Sequence, residues 1–130
     1  MKKYISPLLL FVLFALQSCV QCGTSGGDFK SLSVEEFKEF IADSNVQLVD
    51  VRTAEENAAG AIPGSLNIDV MKGHEELAAT LDPERPVALY CRSGRRSEKA
   101  AWVLKKVFFK NVVDLKGGYN AWVEYHCNGK

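Results

Sequence analysis

Cys91-Arg92-Ser93-Gly94-Arg95-Arg96-Ser97 places one thiol ahead of three arginines and a glycine within seven residues. The thiol follows Pro86-Val87-Ala88-Leu89-Tyr90, an apolar run that predicts a buried strand, and precedes a helical pattern from Ser97 to Phe109. A strand end, a tight glycine loop and a helix N-terminus form a concave ring of backbone N–H groups that favours an anion at its centre. Those donors, the helix dipole and nearby arginines all lower a thiol's pKa, from ~8.5 toward ~3.5–7.5 in such settings. Cys91 is therefore the candidate nucleophile. The N–H groups of Arg92, Ser93, Gly94, Arg95, Arg96 and Ser97 are the candidate anion cradle, and Gly94 is expected to take a backbone φ that other residues resist. Arg92 and Arg95 are expected to face incoming anions, and Arg96 to turn inward onto an acid, with Asp50 the candidate. Asp50 and Arg52 read as a structural ion pair supporting the site. From Arg92 to Lys110 the chain carries seven basic residues and one acid, Glu98. Lys99, Lys105, Lys106 and Lys110 read as the solvated face of a helix.

The elements that must position this loop alternate between strand and helix. Ser33, three residues before Glu36, has the capping-box pattern of a helix start, with Val34, Phe37, Phe40 and Ile41 at helical spacing. Val46 to Val51 and Val112 to Leu115 read as strands, and Leu66 to Ile68 as a short one. Thr53 caps a brief helix over residues 54–59 that Gly60 ends. Further helices are expected over His74 to Leu81 and Tyr119 to Tyr125. This alternation predicts an α/β fold, a central parallel sheet with helices on both faces.

The full chain has 130 residues, 16 basic and 16 acidic side chains, and is 47% hydrophobic, which fits one globular domain and excludes a two-domain enzyme. Zero formal net charge argues against a nucleic-acid binder. Four cysteines with His74 and His126 show no paired ligand spacing, so neither a metal nor another cofactor is expected. Lys2 and Lys3 precede an apolar run from Ile5 to Leu16, too short for a membrane helix of ~20 residues and suited to a secretory signal. Leu16-Gln17-Ser18-Cys19 resembles the lipobox of bacterial lipoproteins, which implies cleavage after residue 18 and lipidation of Cys19. The protein would then be exported to a bacterial cell envelope and meet the membrane only through its anchor. Ordinary secretion with cleavage nearby is the alternative. Removing residues 1–18 takes two lysines and leaves a slight acidic excess. Residues 19–28, small and glycine-rich, read as a flexible tether, 29–127 as the domain and 128–130 as a tail.

The motifs of the domain resemble those of single-domain rhodaneses, the sulfurtransferases. Cys91 to Ser97 is similar to their active-site loop, Leu48-Val49-Asp50-Val51-Arg52 to their Asp-Val-Arg strand, Gly60 to Ser65 to their Gly-His-Ile-Pro-Gly-Ala segment, and Leu115 to Trp122 to their Gly-Gly…Trp ending. Ala61 departs from the family's usual histidine, a loss expected to weaken packing and not chemistry. The resemblance implies the rhodanese three-layer fold, with the loop at a strand's C-terminal end. It also implies sulfur transfer through a Cys91 persulfide, from thiosulfate or a related small sulfur anion to cyanide, a low-molecular-weight thiol or a protein thiol. Gly117, Gly118 and Trp122 would be fold elements beside the site. A cysteine phosphatase places five residues between its Cys and Arg, whereas Arg96 leaves four and Ser97 stands at the next position, so the loop is one residue short for phosphate. A persulfide carrier or binding module serving a protein partner is a further alternative. Cys19 and Cys22 form a formal Cys-x-x-Cys outside any strand–helix junction, which argues against a thiol–disulfide role. Cys127 is the better placed of Cys22 and Cys127 to resolve an oxidised Cys91, although peripheral, non-catalytic cysteines are the expectation.

Overall fold

The computed structural model describes residues 28–129. The segment expected to be a signal, Cys19, Cys22 and the expected tether up to residue 27 lie outside the described residues, as does Lys130. In chain order the elements are β1 (Lys30–Leu32), α1 (Val34–Ile41), β2 (Gln47–Asp50), α2 (Ala54–Ala59), β3 (Leu66–Asn67), α3 (Glu75–Thr80), β4 (Val87–Tyr90), α4 (Arg95–Lys106), β5 (Val112–Leu115) and α5 (Gly118–Cys127). A 3-10 turn at Val70–Lys72 links β3 to α3. All strand pairings are parallel, in the order β1-β5-β4-β2-β3. Among the described residues no helix is long and apolar enough to cross a membrane.

Strand alternation divides the core into two layers. Val87, Leu89 and Cys91 join Val49, Val51 and Val112 on one face, where Leu77 of α3 and Ala100, Ala101 and Leu104 of α4 cover them. Ala88 and Tyr90 join Val113 and Leu115 on the other, against Val34 and Phe37 of α1 and the partly buried Trp122 and Tyr125 of α5. Covering both faces is what makes β4 and β5 buried throughout.

The expected capping box of Ser33 with Glu36 is present, and the Thr53 cap proves to be a second one, with Glu56. α4 begins two residues earlier than its apolar pattern, because Gly94 serves as N-cap, and ends at Lys106. β1 has no counterpart among the expected strands. Its three residues carry no β-branched side chain, and the strand exists through its pairing with β5, Ser31 opposite Asp114.

The strand order reverses direction at the centre of the sheet. β2 leads outward to β3, whereas β4 leads the other way to β5. The loops leaving the C-terminal ends of β2 and β4 therefore part company and open a crevice, the usual ligand position in such sheets. Tyr90, the last residue of β4, ties that strand to the turn before β3: its hydroxyl accepts from the Ile62 N–H at 3.0 Å and bonds the Ser65 hydroxyl at 2.8 Å. Tyr90→Phe leaves the buried Ile62 N–H without a partner, and urea unfolding should show a loss of about 1–3 kcal/mol.

Candidate active site

Cys91 stands at the C-terminal end of β4, beside that crevice, with 1% of its surface exposed. Gly94 turns the chain at φ 112°, in the left-handed region, and starts α4. The Gly94 N–H donates to Cys91 Sγ at 3.1 Å, and the Ser97 hydroxyl lies 3.5 Å from the same sulfur. Burial pushes the thiol up, but the Ser97 hydroxyl and the backbone N–H groups of Ser97, Gly94 and Ser93 together outweigh it, and the net direction is down. Of the expected cradle, the N–H groups of Ser93, Gly94 and Ser97 act on the sulfur. Ser97 and Gly94 are buried within it, while Arg92, Ser93 and Arg95 are exposed at its rim.

Arg96 does turn inward, but onto Glu56 and not Asp50, with Nη1 and Nη2 at 2.7 and 2.8 Å from the two carboxylate oxygens. Asp50 has no capacity left for it. Its oxygens accept from the Arg52 backbone N–H and Nε, both at 2.9 Å, from Arg52 Nη2 at 2.7 Å and from Asn57 Nδ2 at 2.9 Å. Asp50 and Arg52 form the expected ion pair, almost wholly buried. The guanidinium also donates to the Gly60 carbonyl and stacks 4.3 Å from the Tyr119 ring centre, so it ties β2 to the α2 exit and to α5. Nothing local in the sequence marks Glu56 as the partner of Arg96, which lies 40 positions further along the chain.

α5 fixes the other side of the loop. The Tyr119 N–H donates to the Cys91 carbonyl at 2.7 Å and the Asn120 N–H to that of Arg92 at 3.1 Å. A Cβ on Gly118 would lie 2.5 Å from the Cys91 carbonyl oxygen, so only glycine permits this approach. A cleft of about 210 Å³ lies beside the loop, lined by Arg52, Glu56, Gly60, Arg92, Tyr119 and Asn120 among others. Cys127 is exposed at the far end of α5, about 12 Å along the axis from Tyr119. That separation supports the peripheral reading over a resolving thiol. Among the described residues no group of His, Cys, Asp and Glu is arranged to hold a metal ion.

One residue near the sulfur belongs to none of the sequence motifs. Asp114 is fully buried in β5, and Ser97 donates to it at 3.2 Å. A charged residue inside an otherwise apolar, doubly covered strand is the signal that could have found it.

Residues 33–125 match the family of rhodanese-like domains. The chain belongs to this family. It is 34% identical over 99 residues to the thiosulfate sulfurtransferase GlpE of Shewanella oneidensis, covering 74% of this chain and 94% of that one. A human single-domain sulfurtransferase structure superposes with a TM-score of 0.63 at 27% identity, covering 75% of this chain and 97% of the other. A Bacillus subtilis relative whose name proposes a sulfur-carrier role is 36% identical over 92 residues, 70% of this chain, and there the match spans only 49% of the relative's length. The fold is accordingly the rhodanese-like α/β fold, and sulfur transfer is the general chemistry of these relatives.

The Glu56–Arg96 pair makes rhodanese-loop stability depend on acid pH. The Arg96 guanidinium leads the effects that hold Glu56 down at about 2, against an ordinary 4.5. A depressed carboxylate stabilises the fold fully above about 4.5 and loses that contribution as pH falls toward about 2. Glu56→Gln keeps a capping-box side chain but removes the charge. Urea unfolding should find the variant roughly 1–3 kcal/mol less stable at pH 7, a gap that closes between pH 4.5 and 2.

Proposed function

We propose that this protein is a thiosulfate-type sulfurtransferase in which Cys91 carries the sulfur as a persulfide. The observation that carries the reading is the Cys91 sulfur held at 3.1 Å from the Gly94 N–H inside a ring of donors that lowers its pKa. The thiolate attacks the outer sulfur of thiosulfate, the new S–S bond forms, and the old S–S bond breaks with its electron pair leaving on sulfite. The outer persulfide sulfur is now the anion. It lies about 2 Å beyond Sγ, where the loop's N–H groups can hold it. Cyanide or a thiolate then attacks that sulfur, and Cys91 leaves as the thiolate it began as. Arg92 and Arg95, exposed at the rim, attract the anionic donor and a small-molecule or protein thiol acceptor.

Incubated with thiosulfate, the protein should gain about 32 Da on Cys91, one sulfur atom of a covalent intermediate, and transfer it to cyanide. Cys91→Ser should abolish both the mass gain and thiocyanate formation. A wild-type protein that gains no sulfur from thiosulfate or from any low-molecular-weight persulfide overturns the proposal.

We further propose export and lipid attachment at Cys19. In bacterial cells the wild type should partition into detergent and Cys19→Ala into the aqueous phase. Wild-type protein retaining residues 1–18 in the cytosol overturns this part.

A further inference from the structure

Asp114 is a buried acid that the reaction above does not use. β5 alternation points its side chain to the α4 face, the side of Val112 and opposite to Val113 and Leu115. Its Oδ1 accepts from the Ser31 hydroxyl of β1, and its Oδ2 from the Ser97 hydroxyl of α4 at 3.2 Å. Ser97 in turn lies 3.5 Å from the Cys91 sulfur and 3.1 Å from the Gly94 carbonyl. One carboxylate is therefore a single hydroxyl removed from the sulfur.

That hydroxyl has one hydrogen and three acceptors in reach, so it can serve one of them well at a time. We propose that Asp114 is a positioning residue for the Cys91 sulfur, its protonation deciding which acceptor takes the Ser97 hydrogen. Ionised Asp114 holds the hydrogen on Oδ2 through a charge-assisted bond, and the sulfur is left with backbone donors. Protonated Asp114 donates from Oδ2 to Ser97 Oγ, still accepts from Ser31 at Oδ1, and frees the Ser97 hydrogen to turn to the sulfur. The sulfur anion is thus best supported when Asp114 is neutral, and the two groups titrate as a coupled pair.

The surroundings bring the two groups toward a common range. Burial pushes Asp114 up, against the lowering effect of the Ser31 and Ser97 hydroxyls, and Glu98 of α4 adds to the rise. Among the described residues no lysine, arginine or histidine forms an ion pair with Asp114. β1 presents Ser31 to it and β4 pairs Leu89 alongside it. On the sulfur side the charged group is Arg96, itself held by Glu56.

The inference rests on Cys91 as the nucleophile proposed above, but its test reads the thiol and not sulfur transfer. Iodoacetamide alkylation of Cys91 is followed against pH in the mature protein, with peptide-resolved mass spectrometry to separate it from the other cysteines. The wild type should show two inflections. Asp114→Asn mimics the protonated acid, its amide donating to Ser97, and should show one inflection displaced downward by about one pH unit, about tenfold faster alkylation below it. In a Ser97→Ala background the Asn substitution should shift the profile much less, since only the direct repulsion between the two charges remains. Ser31→Ala, which removes a bond that favours the ionised acid, should move the acid inflection upward. An Asp114→Asn profile that superimposes on the wild type overturns the proposal. So does a shift that persists undiminished without the Ser97 hydroxyl, or an acid inflection that Ser31→Ala leaves in place. Two inflections in a protein that transfers no sulfur would uphold the Asp114 assignment while removing the proposed function.

Discussion

A sulfur anion at the end of a buried strand has lost its water and must be given donors in place of it. Desolvation is the largest single influence on Cys91 and acts against the thiolate. The loop opposes it with several N–H groups and one hydroxyl, none of which is sufficient alone. Backbone donors are suited to this because they are rigid and bring no counter-charge to be desolvated in turn. The requirement explains why the turn is made at Gly94, in a conformation that aims successive N–H groups inward, and why α4 begins immediately after it.

The rest of the molecule holds that ring in shape. α5 captures the carbonyls of Cys91 and Arg92 with its first N–H groups, and the close approach depends on Gly118. Arg96 ties the other flank of the loop to α2 through Glu56, while Arg52 ties β2 to α2 and α5. Both arginines belong to ion pairs that brace loops at the crevice between β2 and β4. Arg92 and Arg95 are exposed instead, so three arginines crowded in sequence divide into one held by an ion pair and two at the surface.

Much of this arrangement is legible in the order of the residues. Local signals carry it: an apolar run followed by Cys and a glycine loop, the helix caps at Ser33 and Thr53, and strand–helix alternation. Such features depend on residues within a few positions of one another, and those dependences survive in a linear reading. β1 is not legible in that way, because three residues without β preference become a strand only where β5 offers a free edge. The partner of Arg96 is not legible either, because choosing between Asp50 and Glu56 requires knowing how many donors already fill Asp50.

The amino-acid sequence by itself determined the parallel α/β class, the thiol and the donor-rich loop after it, since strand period, helix caps and the glycine turn are all local. Tertiary structure alone decided that Arg96 meets Glu56, that Cys127 sits far from the sulfur, and that Asp114 stands behind Ser97. The ion pair and the Asp114 bond join residues 17 or more positions apart. Their outcome depends on competition for a limited number of lone pairs and hydrogens, which becomes definite only when the strands are in register and the helices are packed on them.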